Sequence, residues 1–205
     1  MKTIRKQQEP PSFQAWKTQY PTAGYDALSG AVKQSLKTAL MQEQGWLCCY
    51  CEQRITEDNS HIEHIKPQSL DSSAALDYQN IVCSCQNQLE KGGTRHCGHK
   101  KGDWYDSALF ISPLDPTCES RFTYTWDGHV YPAIKNDKAA TVTIGRLGLD
   151  IPDLVDLRKA AIDVLVDLSS DELRAFLNAY LTPTQDGKFQ VFWTMFNGLR
   201  QKLTI

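Results

Sequence analysis

The chain has 205 residues, 41% of them hydrophobic and 22% charged, with 22 Lys and Arg against 24 Asp and Glu for a formal charge of -2. This is the composition of one globular domain, or of a small site-bearing module with additions, and it gives no global attraction to nucleic acid. No apolar run approaches the roughly 18 to 20 residues needed to span a bilayer, and the basic start Met1–Lys6 has no apolar segment behind it as a signal peptide would, so a cytoplasmic protein is expected.

In chain order, residues 1–28 carry Pro10, Pro11, Pro21 and Gly24 among Phe13, Trp16, Tyr20 and Tyr25, which reads as an irregular arm or short helix anchored by aromatics. Ser29 then serves as N-cap of a helix whose Val32, Leu36 and Leu40 recur every fourth residue, with Gly45 at its C-terminal end. Cys48 to Cys51 forms a tight knuckle leading to short strands around Arg54–Ile55 and over residues 61–65, closed by Pro67. Residues 68–77 are loop-like, residues 78–85 return to the core, and residues 86–95 form a polar loop. A short helix is expected over residues 98–105. Phe122 to Trp126 alternates, Asp127-Gly128 signals a two-residue hairpin turn, and residues 129–131 return. The remainder reads helical: Leu154, Leu157, Ala161, Leu165 and Leu168 form one apolar stripe, Ser169-x-x-Glu172 is a capping box, and Phe189, Phe192, Trp193, Phe196 and Leu199 form a last stripe. Such stripes are read first as core and only then as a docking surface. Three regions follow: an arm and helix (1–45), a site-bearing core (46–105), and a hairpin with helices (106–205).

Charge and cysteine are unevenly spread. Residues 91–101 hold four Lys or Arg and two His with no acid, a patch able to attract phosphate, whereas residues 150–172 hold seven acids against two basic residues. Either patch is also explained as a solvated face. The seven cysteines are an odd number in a chain read as cytoplasmic, which argues against a disulfide framework. Six of them crowd between residues 48 and 97, interspersed with His61, His64 and His96 and followed by His99, which suggests metal. Cys48-x-x-Cys51 has zinc-knuckle spacing, and tetrahedral closure needs two more ligands, for which Cys85 and Cys97 are the candidates. Cys49 and Cys83 are neighbours able to substitute, and Cys118 reads as a small buried hydrophobe. The plain alternative is a set of structural thiols with no metal.

Between the two halves of that quartet lies His61-Ile62-Glu63-His64-Ile65-Lys66-Pro67. On a strand, Glu63 shares a side with His61 and Ile65, and His64 takes the other. A carboxylate for a metal and an imidazole for a water are the parts that phosphodiester hydrolysis requires. Asn80 is able to hold a loop or the histidine by hydrogen bonds, although alone it would more often be a turn residue.

Cys-x-x-Cys, then Glu-His-Ile-x-Pro, Asn-Ile-Val, a cysteine pair and Lys-Gly resemble the HNH nuclease motif in its zinc-ribbon form. Residues 43–52 (EQGWLCCYCE), 61–64 (HIEH), 80–85 (NIVCSC) and 96–102 (HCGHKKG) are more closely similar to PtuB-type HNH proteins of Septu anti-phage systems and retron defence cassettes. The resemblance spans about residues 1–105 and continues weakly beyond. It implies an α+β fold, with a small ββα-metal core and zinc ribbon embedded in helices. It also implies His64 as general base, Glu63 as ligand of a catalytic Mg2+ or Mn2+, and Asn80 as the residue that orients the loop. His99 is assigned as the second ligand with Asn87 as rival, because Gly98 follows the last cysteine where the common motif has its third letter. Eleven residues between Cys85 and Cys97 are a further departure. His61 and His96 are read as structural or phosphate-contacting. Structural Zn2+ would sit on Cys48, Cys51, Cys85 and Cys97. Implied partners are a nucleic-acid substrate (DNA or tRNA-like RNA), a PtuA-like ABC/SMC ATPase, and in retron cassettes a reverse transcriptase with its RNA-linked DNA. This chain has no G-x-x-x-x-G-K-[ST] of its own.

Two other readings compete. His61-x-Glu63 copies part of a zinc-deaminase signature, but that signature needs a downstream Pro-Cys-x-x-Cys, and here the pair lies upstream after Leu47. A zinc-stapled adaptor without catalysis explains the cysteines and leaves Glu63 and His64 without a task.

Overall fold

Pro11, whose missing N–H costs nothing in a first helical turn, opens α1 (Pro11–Gln19). Helix α2 (Gly30–Glu43) buries Leu36, Leu40 and Met41 along one face and ends at Gly45, whose φ is +61°. A computed structural model describes residues 1–86, 88 and 92–202, and the molecule is α+β: helices surround two small antiparallel sheets. In the first sheet, β1 (Ser60–His64) pairs with β2 (Ile81–Cys85), placing His61 opposite Ser84, Glu63 opposite Val82 and His64 opposite Ile81. Every residue of β2 is buried. Helix α3 (Cys97–Lys101) follows and lies against β2. The second sheet is the hairpin β3 (Phe122–Tyr124) and β4 (Val130–Pro132), and α4 (Lys138–Leu147), α5 (Pro152–Asp163), α6 (Ser170–Leu181) and α7 (Trp193–Lys202) complete the chain. No helix among the described residues is long and apolar enough to cross a membrane.

Several expectations from sequence shift. The strand expected at Arg54–Ile55 contracts to a single bridge between Leu47 and Arg54, because the knuckle turns too sharply to extend a ladder. The helix expected over 98–105 starts one residue earlier and stops at Lys101, where Gly102 adopts φ +52°. The hairpin forms, but residues 125–129 all lie in its loop rather than a two-residue turn. Gly128 is needed there for another reason: its φ is +88°, and a Cβ on it would stand 2.3 Å from the Val155 carbonyl oxygen of α5. On α5 the expected stripe is rotated. Leu157 is 48% exposed, whereas Arg158 is fully buried and donates to the carbonyls of Gly128 and Leu149. The capping box at Ser169 and Glu172 forms with both bonds present.

One hydrophobic core gathers Met1, Ile4, Phe13, the helix α2 face, the cysteine knuckle, β2, Phe110, Ile111, Leu147 and Leu154. A second joins Ile162 and Leu165 to Leu177, Leu181 and the aromatic face of α7. A strap running into α7 ties that second core to the knuckle. The Phe189 N–H donates to the Gly45 carbonyl (3.1 Å), and the Phe192 N–H to the Glu52 carbonyl (3.2 Å). The buried Glu52 carboxylate accepts from the Thr194 N–H (2.8 Å) and its hydroxyl, and pairs with the Met1 ammonium at 2.8 Å.

Candidate metal centre and active site

The knuckle is shaped by backbone bonds before any metal is considered. The Cys48 N–H donates to the Gln53 carbonyl (2.8 Å), the Glu52 N–H closes back on the Cys48 carbonyl (3.2 Å), and Glu52 takes up φ +62° to complete the turn. The Cys49 N–H donates to the Cys83 carbonyl (3.1 Å), which docks the knuckle on β2. The end of β2 and the start of α3 then bring Cys85 and Cys97 in. The Sγ atoms of Cys48, Cys51, Cys85 and Cys97 all lie within 4.8 Å of one another and all four side chains are buried.

Four thiolates around one Zn2+ at about 2.3 Å stand about 3.8 Å apart, and the Cys51 and Cys85 sulfurs are 3.7 Å apart. The donor set is therefore one that zinc prefers, with one sulfur pair at the zinc spacing and the whole set within 4.8 Å. Burial acts against ionising any of these thiols. It pushes the Cys97 thiol well up, whereas at Cys48 the surrounding thiols of Cys49, Cys51, Cys85 and Cys97 outweigh burial and hold it well down. Cys51 is lowered as well, by its contacts with Cys85 and Cys97 against burial, and a pocket that favours two thiolates and resists the other two is one that a dication would complete. The Cys85 N–H points at the Cys48 sulfur (3.4 Å), an outer bond of the kind that steadies a ligating thiolate. Cys49 and Cys83 lie outside the quartet as core thiols, with burial pushing Cys83 up to about 12, and Cys118 is buried beneath Met1.

The strand alternation separates Glu63 from His64. Glu63 points toward Tyr50 and α3: its Oε1 receives Lys101 Nζ at 2.9 Å and Tyr50 Oη at 3.2 Å, while Oε2 stands 3.6 Å from His61 Nε2. Burial alone would raise this carboxyl, but His61 and the Lys101 ammonium outweigh it and hold the group ionised below its usual range. Lys101 is itself buried and also donates to the His64 carbonyl (2.8 Å), so one ammonium fastens α3 to β1. The His99 ring lies 4.8 Å from that of His61 in an edge-on arrangement. Among the described residues, two buried side-chain nitrogens or oxygens lack a hydrogen-bond partner, His61 Nδ1 and His99 Nε2. Asn87, the rival to His99, lies outside the described residues.

His64 points the other way. Its Nε2 lies 3.0 Å from the Ala75 carbonyl oxygen, which can only accept, so Nε2 carries the proton. Burial depresses the imidazole, which favours the neutral form with a lone pair on Nδ1. Gln68 approaches that nitrogen at 3.4 Å, and Tyr25 sets its ring edge-on to His64 with centroids 4.7 Å apart. Asn80 staples the loop that supplies the Ala75 carbonyl. Its Oδ1 accepts from the Lys66 N–H (2.8 Å), and its Nδ2 donates to the carbonyls of Lys66 and Ala74 (both 3.0 Å).

Sequence reasoning did not single out Lys101, Tyr50, Tyr25 or Gln68. Nothing in Lys100-Lys101 separates the exposed lysine from the buried one, and the tyrosines reach the site only through tertiary packing.

No protein-family model matches the chain. A candidate HNH endonuclease of retron Vc95 from Vibrio cholerae serotype O1 biovar El Tor is 37% identical over 142 residues, which cover 66% of this chain and 67% of that protein. At that identity and coverage the relationship is one of common descent, and the chain belongs to the same family of retron-associated HNH endonucleases.

Proposed function

We propose that this chain is a metal-dependent endonuclease whose general base is His64. The observation that carries the reading is the division of labour across β1. A neutral, buried histidine has its Nε2–H fixed on a backbone carbonyl, which leaves Nδ1 unprotonated, with the Gln68 amide 3.4 Å from it. The adjacent residue is an ionised buried carboxylate on the opposite side of the strand. The β1–β2–α3 order around the pair, the four-cysteine cluster beside it and the retron Vc95 relative support the same assignment.

His64 Nδ1 accepts a proton from water as the oxygen attacks phosphorus in line, and the P–O3′ bond breaks. Asn80 holds the residue 66–75 loop, and with it the Ala75 carbonyl that keeps the imidazole in the required tautomer. Lys101 holds Glu63 Oε1, leaving Oε2 for a cation, and His99, whose ring lies against that of His61, has an unpartnered Nε2. Glu63 and His99 would hold a divalent ion, which when bound would supply charge neutralisation at the phosphate and the leaving oxygen. The cysteine quartet, as a closed set of four ligands, would hold a structural zinc and take no part in the chemistry.

The substrate we assign is the phosphodiester backbone of DNA or structured RNA, read by shape, since no base-reading motif is present. A PtuA-like ATPase is the proposed partner, with a retron reverse transcriptase and its RNA-linked DNA in such a cassette. The C-terminal helices are the proposed docking face: Leu157, Val164 and Val166 are exposed there amid acidic residues. Val164→Asp with Val166→Asp should abolish co-purification with that ATPase, and undiminished co-purification refutes the docking face. The decisive assay offers plasmid DNA and total RNA to the zinc-loaded chain with its ATPase, in Mg2+ and in Mn2+, beside His64→Ala. Cleavage that disappears with His64 supports the endonuclease and names its substrate. Absence of cleavage of either pool, with partner binding retained, transfers the assignment to an adaptor.

A further inference from the structure

We infer that His61 is a ligand of the second metal, alongside Glu63 and His99, and that the site therefore prefers a first-row transition ion to Mg2+. The inference deepens the endonuclease reading and rests on it for the metal's purpose, but the geometry stands on its own. His61 and Glu63 occupy one side of β1, two residues apart, and Oε2 of Glu63 lies 3.6 Å from Nε2 of His61. That is too long for a good hydrogen bond. It is close to the roughly 3.4 Å that separates a nitrogen and an oxygen held by one tetrahedral ion at about 2.1 Å.

The opposing wall is Gly98. A Cβ there would stand 2.7 Å from both His61 Nε2 and Glu63 Oε2, so the absence of a side chain keeps the space between these two atoms open. From the next residue of α3, His99 brings a nitrogen with no partner, and its ring already lies 4.8 Å from His61. The three ligand atoms are gathered less tightly than the four sulfurs, which form the closed group within 4.8 Å among the described residues. His99 is half-buried, and its ring would have to turn toward His61 and Glu63 to close the set. Two imidazoles and one carboxylate suit a transition ion, whereas Mg2+ seeks oxygen ligands and retains its water.

The test uses Mn2+ as probe on protein already loaded with zinc, since thiolates that hold zinc do not exchange it for Mn2+ readily. Free Mn2+ is followed by EPR, and bound nitrogen by its 14N coupling. The inference expects one Mn2+ per chain, two coupled imidazoles, and retention of Mn2+ against excess Mg2+. His61→Ala should leave one coupled imidazole and weaken binding by more than the roughly 10- to 100-fold that loss of an outer bond costs. His61→Asn checks the result with a smaller disturbance, and zinc content with far-UV dichroism checks the fold. Unchanged affinity and nitrogen coupling in a folded His61 variant overturn the inference, as does displacement of Mn2+ by equal Mg2+. The outcomes separate cleanly from the endonuclease reading. His64-dependent cleavage with His61-independent Mn2+ binding refutes the ligand alone, whereas His61-dependent Mn2+ binding without cleavage refutes the nuclease alone.

Discussion

Replacing Lys101 by methionine keeps most of the side-chain volume and removes the one ammonium that faces Glu63 at 2.9 Å. At an effective dielectric of about 20, two unit charges at that distance attract by roughly 6 kcal/mol gross, before desolvation is subtracted. The relevant figure is the cost of leaving a buried carboxylate unpaired, typically about 3–5 kcal/mol. Glu63 retains Tyr50 at 3.2 Å and His61 at 3.6 Å, so the lower end applies. The lost bond to the His64 carbonyl adds about 1 kcal/mol. A total near 3–4 kcal/mol lowers the Tm of a chain this long by about 6–16 °C. Calorimetry on zinc-loaded protein measures it. Glu63→Gln in the same background should restore most of the loss, because no charge then remains buried. A shift below about 2 °C, or a double variant no better than Lys101→Met alone, would refute the view that this pair fastens α3 to β1.

Cys85→Ser should reduce bound zinc from about one equivalent to none and expose the chain to unfolding by a chelator, because a site assembled from distant segments carries folding free energy; elemental analysis with dichroism decides it. Gly98→Ala should change stability by no more than about 1 kcal/mol, since the intruding Cβ meets only the tips of Glu63 and His61 and helix propensity favours alanine. Mn2+ uptake should nevertheless fall, and retained uptake would show that the space over Gly98 is not used. Asp137 is held down to about 2 by paired bonds from Arg121, so its stabilisation is complete above pH 4 and disappears as pH falls through 2. Asp137→Asn should flatten the stability profile in that window, and an unchanged slope between pH 4 and 2 would contradict the pairing.

Much of the site was legible because its chemistry is local. The cysteine spacing and the strand alternation of His61 to His64 each depend on residues close in sequence, and both arise in the structure where the pattern places them. What was not legible depends on packing. The α5 stripe misled because Arg158 satisfies its guanidinium on two carbonyls, which lets a charged residue occupy a core position that Leu157 was expected to take. The Asp127-Gly128 pair has the composition of a tight turn, yet its glycine answers to the approach of α5, from a segment almost thirty residues away. Lys101 looks like its exposed neighbour until β1 is laid beneath it.

The strap between the knuckle and α7 also sets an order of assembly. Thr194 lies 142 residues beyond the glutamate it serves. On the ribosome, the turn that carries Cys48 and Cys51 closes early on its own backbone, while the bonds that anchor it to α7 must wait until Thr194 has emerged. Contacts this distant in sequence are slow to form. The cysteine centre is therefore gathered first, from residues 48 to 97, and anchored to α7 only afterwards.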